Sequence, residues 1–209
     1  ALLSLAVGSF GAIFQKNLKR LLAYSSIGHV GFVLLGMASF GKTGFASCIF
    51  YMIVYAVISI GSFGFLILMK LESSDDQTDA ANEKIFNISS LSGLAKTNPV
   101  MAFSLAVLMF STAGIPPLAG FFSKFYILVA AISHGFFITA TIAVLFSVVS
   151  AYYYLRIIKI MYFDKAQTEV VLADIANVKV IIFATAILNI TFIFFLSPFV
   201  ITISNFLTL

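Results

Sequence analysis

Long apolar runs separated by short polar turns set the rhythm of this chain. Residues 1–14, 21–40, 45–69, 99–131, 136–161 and 178–203 are dominated by aliphatic and aromatic side chains. About 20 such residues cross the ~30 Å hydrocarbon layer as a helix. The pattern therefore predicts an all-α integral membrane protein, a polytopic helical bundle forming a single membrane domain over residues 1–209, with the first run a partial span. Two polar loops, 71–98 and 163–177, interrupt the apolar pattern. The stretch 72–84 is acidic and reads as a solvated loop, while 85–94 is apolar enough for a short interfacial helix. Asn98 before Pro99 is a helix start signal, with proline at the first helical position. Pro198 is expected to bend or end the last span.

The fourth run departs from the others. It is too long for one straight crossing, and its middle reads Gly114-Ile115-Pro116-Pro117, followed by Gly120. A proline lacks the backbone donor and clashes with the preceding turn, so two in succession predict one discontinuous transmembrane helix, broken near 114–117. Lys124 follows Pro117 by seven residues, where a new half-helix is running. A lysine at the bilayer centre costs roughly 2.5 kcal/mol or more and is by default a functional-site hypothesis. Loss of hydration makes proton exchange by a buried amine accessible near neutrality. The opened backbone needs partners, and Ser111, Thr112 and Ser123 are placed to supply them. The bland alternative is a proline kink with a lysine snorkelling to the interface.

His29 is the second candidate. Counted from Arg20, nine residues at 1.5 Å rise place it about 14 Å deep. Ser25 lies one turn earlier on the same face, within reach of the ring. Histidine titrates near physiological pH and suits a relay; a neutral histidine tying two helices together is the competing reading. Lys19 and Arg20 read as interface anchors, as do Tyr152, Tyr153 and Tyr154 beside Arg156. His134 sits in a turn and is expected to be solvated, and Ser59, Gly61, Ser62 and Gly64 form a helix-packing stripe.

Composition sharpens this picture. The 209 residues are 61% hydrophobic and 10% charged, with a mean hydropathy of +1.11, against about 25% charge in soluble domains. The net charge of +4 is scattered at the ends of apolar runs and does not point to nucleic acid. Cys48 is the only cysteine and lies in an apolar run, so no disulfide or cysteine metal site is expected. Two distant histidines give no metal cluster either. No phosphate loop or nucleophile-base pair is visible. Ten of the twelve basic residues fall on the loops joining odd spans to even ones, Lys42 alone on the other face. The positive-inside rule then places the former loops in the cytoplasm or matrix and the C-terminus on the opposite side. The opening at Ala1, mid-run and without a basic leader, leads one to expect the C-terminal piece of a longer protein.

Two segments carry a resemblance: Gln15-Lys16-Asn17-Leu18-Lys19-Arg20 with Tyr24-Ser25-Ser26-Ile27-Gly28-His29, and Ala113-Gly114-Ile115-Pro116-Pro117 with Gly120-Phe121-Phe122-Ser123-Lys124-Phe125-Tyr126. Together they resemble the antiporter-like membrane subunits of respiratory complex I, on the side of subunit N, called NADH dehydrogenase subunit 2 in mitochondria. The lysine followed by Phe125-Tyr126 favours that branch, since one paralogue has glutamate there. The resemblance implies two inverted five-helix repeats in a full-length member, this chain matching from the end of the ninth span to the fourteenth. Lys124 then matches the lysine of the broken twelfth helix and His29 the histidine of the tenth. The family's charged residues of the fifth, seventh and eighth spans have no counterpart here, so the chain would hold half of a proton path.

The implied function is proton translocation coupled to NADH oxidation by ubiquinone elsewhere in the assembly. FMN, iron–sulfur clusters and ubiquinone would belong to partner subunits, with no cofactor, metal or redox site in this chain. Other membrane-arm subunits, a chain or segment carrying the missing spans, and lipids are the expected partners. Phe and Ile richness without Trp suits an organellar gene, hence the mitochondrial inner membrane, with the bacterial plasma membrane as the alternative. Two rival readings keep the fold: a subunit of a multisubunit sodium/proton antiporter, or a half-subunit retained as scaffold without pumping.

Overall fold

A computed structural model describes residues 1–72, 86–165 and 172–206. The described residues form helices α1 (Leu2–Ile13), α2 (Leu18–Ala38), α3 (Lys42–Glu72), a 3-10 turn (Ile88–Leu91), and a single turn α4 (Leu94–Thr97). Then follow α5 (Pro99–Ala113), α6 (Ala119–Ser133), α7 (Phe137–Phe163) and α8 (Ala176–Phe206), with no strand among them. By length and apolarity Leu18–Ala38, Lys42–Met69 and Phe137–Phe163 are each long enough to cross a membrane. α5 and α6, at 15 residues each, are shorter apolar helices. The acidic stretch expected as a loop falls, beyond Glu72, outside the described residues. Pro198 does not end α8, which continues to Phe206.

The segment 85–94 corrects an expectation. In place of an interfacial helix, Asn87 caps a 3-10 turn by accepting from the Ser89 amide at 3.1 Å. Ile88, Leu91 and Leu94 are buried against the main core. The spacing of Ile88 and Leu91 matches the three residues per turn of a 3-10 helix, and Leu94 follows in the next turn, beyond the left-handed Gly93. Two backbone bonds, Leu18 N–H to Phe86 O (2.7 Å) and Ile88 N–H to Lys16 O (2.8 Å), stitch this segment to the turn before α2.

Small residues bring the helices together. A Cβ on Gly8 would lie 2.3 Å from the backbone nitrogen of Gly28, so α1 and α2 touch backbone to backbone. On α3, a Cβ at Gly61 would lie 2.3 Å from Thr185 Oγ1, which makes the expected stripe a seat for α8.

Two apolar clusters frame the bundle. One gathers Leu21 and Leu22 of α2, Ala119 of α6 and Tyr154 and Ile157 of α7; the other gathers Phe32 and Leu35, Ile127 and Ala131, and Ala140 and Ala143 of the same three helices. Along each helix the polar positions lie between the two: Ser25 and His29, Ser123 and Lys124, Ser147 and Ser150. The result is a polar belt held between apolar layers.

Candidate functional site

The belt is built around the end of α5. Gly114 takes the left-handed conformation at φ +87°, and its amide bonds Ser111 O at 3.0 Å while the Ile115 amide bonds Phe110 O at 3.1 Å. This is a Schellman ending, which glycine permits without strain. It leaves the last two carbonyls of the half-helix, those of Thr112 and Ala113, unpaired by backbone. Five residues containing Pro116 and Pro117, joined by a cis peptide, lead to α6. Gly120 then passes so close that a Cβ there would lie 1.8 Å from Ser111 O. The Gly120 amide donates to Ser111 Oγ at 3.0 Å, and Ser111 Oγ donates to Asn189 Oδ1 of α8 at 2.7 Å. Ser123 Oγ caps Gly120 O at 2.9 Å, and Thr112 Oγ1 bonds back to Leu108 O at 2.6 Å.

Lys124 closes the break. Its Nζ donates to Thr112 O at 2.9 Å, to Ala113 O at 3.1 Å and to Ser147 Oγ of α7 at 3.1 Å. An ammonium has three donors, and all three are used. The side chain is 7% exposed, so the snorkelling alternative does not describe it. The Phe32 ring lies 5.4 Å from Nζ, within cation–π range. Among the described residues the ion pairs, Lys159–Asp164 and Lys179–Asp174, lie elsewhere, and none involves Lys124. Its charge is met by carbonyl dipoles at the negative end of a half-helix instead.

His29, also 7% exposed, is held by three tyrosines. Nδ1 lies 2.5 Å from Tyr51 Oη, Nε2 lies 3.3 Å from Tyr154 Oη, and the Tyr55 ring stacks on the imidazole at 4.4 Å. Ser25 hydrogen-bonds Tyr154 Oη, so it meets the histidine through a tyrosine rather than directly. Two small cavities of about 10 Å³ each flank the pair, a volume close to that of one water. The first is bounded by Tyr51, Tyr55, Ser111, Ser123, His29 and Lys124. The second is bounded by Ser9, Ser25, Ser150, Tyr154 and again His29 and Lys124.

The break residues Gly114, Pro116, Pro117 and Gly120, with Ser111, Thr112, Ser123, Lys124, Ser25 and His29, thus meet in one belt. The tyrosine triplet is corrected: Tyr152 is 58% exposed and faces outward, whereas Tyr154 is 1% exposed and contacts His29. Consecutive residues of a helix turn by about 100°, so three in a row cannot share one role. Lys19, Arg20 and His134 are exposed as expected. Sequence reasoning missed Phe32, Tyr51, Tyr55, Ser147 and Asn189. The signals were present: Tyr51 and Tyr55 share a face of α3, Ser147, Ser150 and Tyr154 share one of α7, and Asn189 is an amide inside an apolar run.

Residues 1–151 match the family described as NADH:quinone oxidoreductase/Mrp antiporter, TM. NADH-quinone oxidoreductase subunit N of Rhodospirillum rubrum is 44% identical over 201 residues, covering 96% of this chain and 39% of that protein. The chain therefore spans about a third to two fifths of the length of the curated relatives it matches. A chain of respiratory complex I from Thermus thermophilus superposes with a TM-score of 0.76 at 29% identity, covering 92% of this chain and 41% of that one. A chain of the Mrp complex from Dietzia superposes with a TM-score of 0.74 over 97% of this chain and 44% of that one, at 19% identity, a likeness of fold.

Proposed function

The chain belongs to the NADH:quinone oxidoreductase/Mrp antiporter transmembrane family, and from that premise we propose that it forms part of a proton-translocating membrane-arm subunit of NADH:ubiquinone oxidoreductase. The observation that carries this reading is Lys124: a buried amine with no carboxylate partner among the described residues, on two carbonyls freed by a broken helix, sharing two water-sized cavities with His29. A carrier needs a group that takes up and releases a proton at mid-membrane, next to a neighbour that passes it on. Lys124 is the loading group and His29 the neighbour. Electron transfer, with its FMN, iron–sulfur clusters and ubiquinone, belongs to partner subunits, and the remaining spans come from a preceding segment or second chain.

Relatives named as subunit N at 44% and 50% identity favour this over the sodium/proton antiporter, whose structural likeness is of fold only. The basic loops are assigned to the cytoplasm or matrix and the C-terminus to the opposite face. The relatives named are bacterial, which favours a bacterial plasma membrane over the organellar membrane expected from composition. The test is Lys124→Ala in native membranes. Proton uptake per electron, or coupled turnover, falls clearly while the protein still migrates in the NADH-active band of a native gel. Unchanged coupling with intact assembly would leave only the scaffold reading; migration in a smaller, NADH-inactive band would favour the antiporter.

A further inference from the structure

The hydrogen bonds around His29 join the two cavities through a continuous line of hydroxyls and imidazole. Among the described residues, the Tyr51 hydroxyl has His29 Nδ1 as its hydrogen-bond partner, and Tyr51 makes no further bond of that kind. Its proton is satisfied within the protein only by donation to Nδ1. A neutral imidazole that accepts at Nδ1 carries its proton at Nε2, and Nε2 faces Tyr154 Oη at 3.3 Å. Tyr154 Oη then receives that proton's bond and turns its own hydrogen to Ser25 Oγ. In the opposite tautomer Nδ1–H donates to Tyr51 Oη, whose own hydrogen then turns into the first cavity, so the same line of groups can be set in either sense.

We propose that Tyr51, His29, Tyr154 and Ser25 form a proton relay between the cavity that reaches Ser111 and the cavity that reaches Ser9 and Ser150, both of which also touch Lys124. The proposal rests on the carrier reading above and extends it to a route. Each link gains one proton and loses one. Tyr51 takes a proton from the first cavity as it passes its own to Nδ1; Nε2 passes its proton to Tyr154, Tyr154 to Ser25, and Ser25 releases one into the second cavity. No charge is left behind, and rotation of the hydroxyls with tautomer exchange of the ring resets the chain. Ser25 lies one turn closer than His29 to the start of α2, so the Ser25 end of the relay lies toward the face of the basic loops. Ser9 Oγ and Ser150 Oγ, 3.1 Å apart, wall that end. Tyr55, whose hydroxyl donates to Ser26 Oγ at 2.8 Å, holds the ring by stacking and stands outside the route.

The test uses the assembled complex in inverted membrane vesicles driven by NADH, with a native gel to score assembly. Tyr154→Phe keeps the ring and removes only the hydroxyl; it lowers the rate of proton uptake roughly tenfold or more, the scale of losing a positioned proton carrier. Ser25→Ala lowers it in the same direction, and the double variant is no slower than Tyr154→Phe alone because the links are in series. Normal uptake by both single variants, with Lys124→Ala impaired, overturns the relay and leaves the carrier reading intact. Losses that multiply in the double variant overturn it as well. Normal uptake by Lys124→Ala overturns the carrier reading itself. If Tyr154→Phe does not assemble, Ser25→Ala decides: lowered uptake in an assembled complex supports the relay, and normal uptake overturns it.

Discussion

Lys124 and His29 share a belt and two cavities, yet they are held by different kinds of partner. The lysine rests on two backbone carbonyls fixed by the glycine-capped end of α5, with a single side-chain hydroxyl as its third contact. Among the described residues the imidazole's hydrogen-bond partners are tyrosine hydroxyls from α3 and α7, which rotate without moving a helix. A cradle of carbonyls can change only if the half-helix changes, whereas a chain of hydroxyls can turn over within a static bundle. The first arrangement suits a group whose occupancy answers to backbone movement, and the second suits transfer.

Substitutions can break or sharpen that contrast. Gly120→Ala has the largest expected effect. Its Cβ would sit 1.8 Å from the Ser111 carbonyl, a backbone atom that cannot rotate away, so α5 and α6 must separate. Such overpacking costs about 1–3 kcal/mol and occasionally more, and the assembled band on a native gel is expected to fall sharply. Normal assembly would show that the cradle is not rigid. Ser111→Ala comes next. It strips the Gly120 amide of its acceptor and Asn189 Oδ1 of its donor, a loss of about 1–3 kcal/mol that appears as a lower midpoint of thermal inactivation. Tyr152→Phe is the smallest, within about 0.5 kcal/mol. Its side chain is 58% exposed, so assembly and proton uptake stay at the level of the unchanged protein, in contrast to the same change two positions on. An effect as large as that of Tyr154→Phe would remove the distinction between the outer and inner tyrosines.

What could be read in advance divides along local and distant lines. The break was legible because glycine and proline act on their own backbone, and Lys124 because a charge in an apolar run is conspicuous at any register. The reach of Lys124 back to Thr112 and Ala113 needs only the short loop between them. The partners of His29 were not legible, since Tyr51 and Tyr154 lie 22 and 125 positions away and which helix faces which is decided by packing. Ser25 was placed on the right face but bonded to the wrong atom, because the intervening tyrosine comes from α7. The segment 85–94 misled for a related reason. Its apolar residues looked fit for the membrane surface, and only the pairing of Phe86 and Ile88 with the turn before α2 shows that they complete the core.

The two halves of the broken helix are equal, 15 residues each, so the break and the amine that closes it stand about midway along the pair. That position has an electrical consequence. One elementary charge carried across a whole membrane at 100 mV exchanges about 2.3 kcal/mol with the field. On the carrier reading proposed above, a proton that reaches Lys124 has crossed about half of that drop, so each 100 mV would bias its occupancy by roughly 1 kcal/mol. Midway placement would then make the amine's occupancy respond to membrane voltage as well as to movement of the half-helix that cradles it.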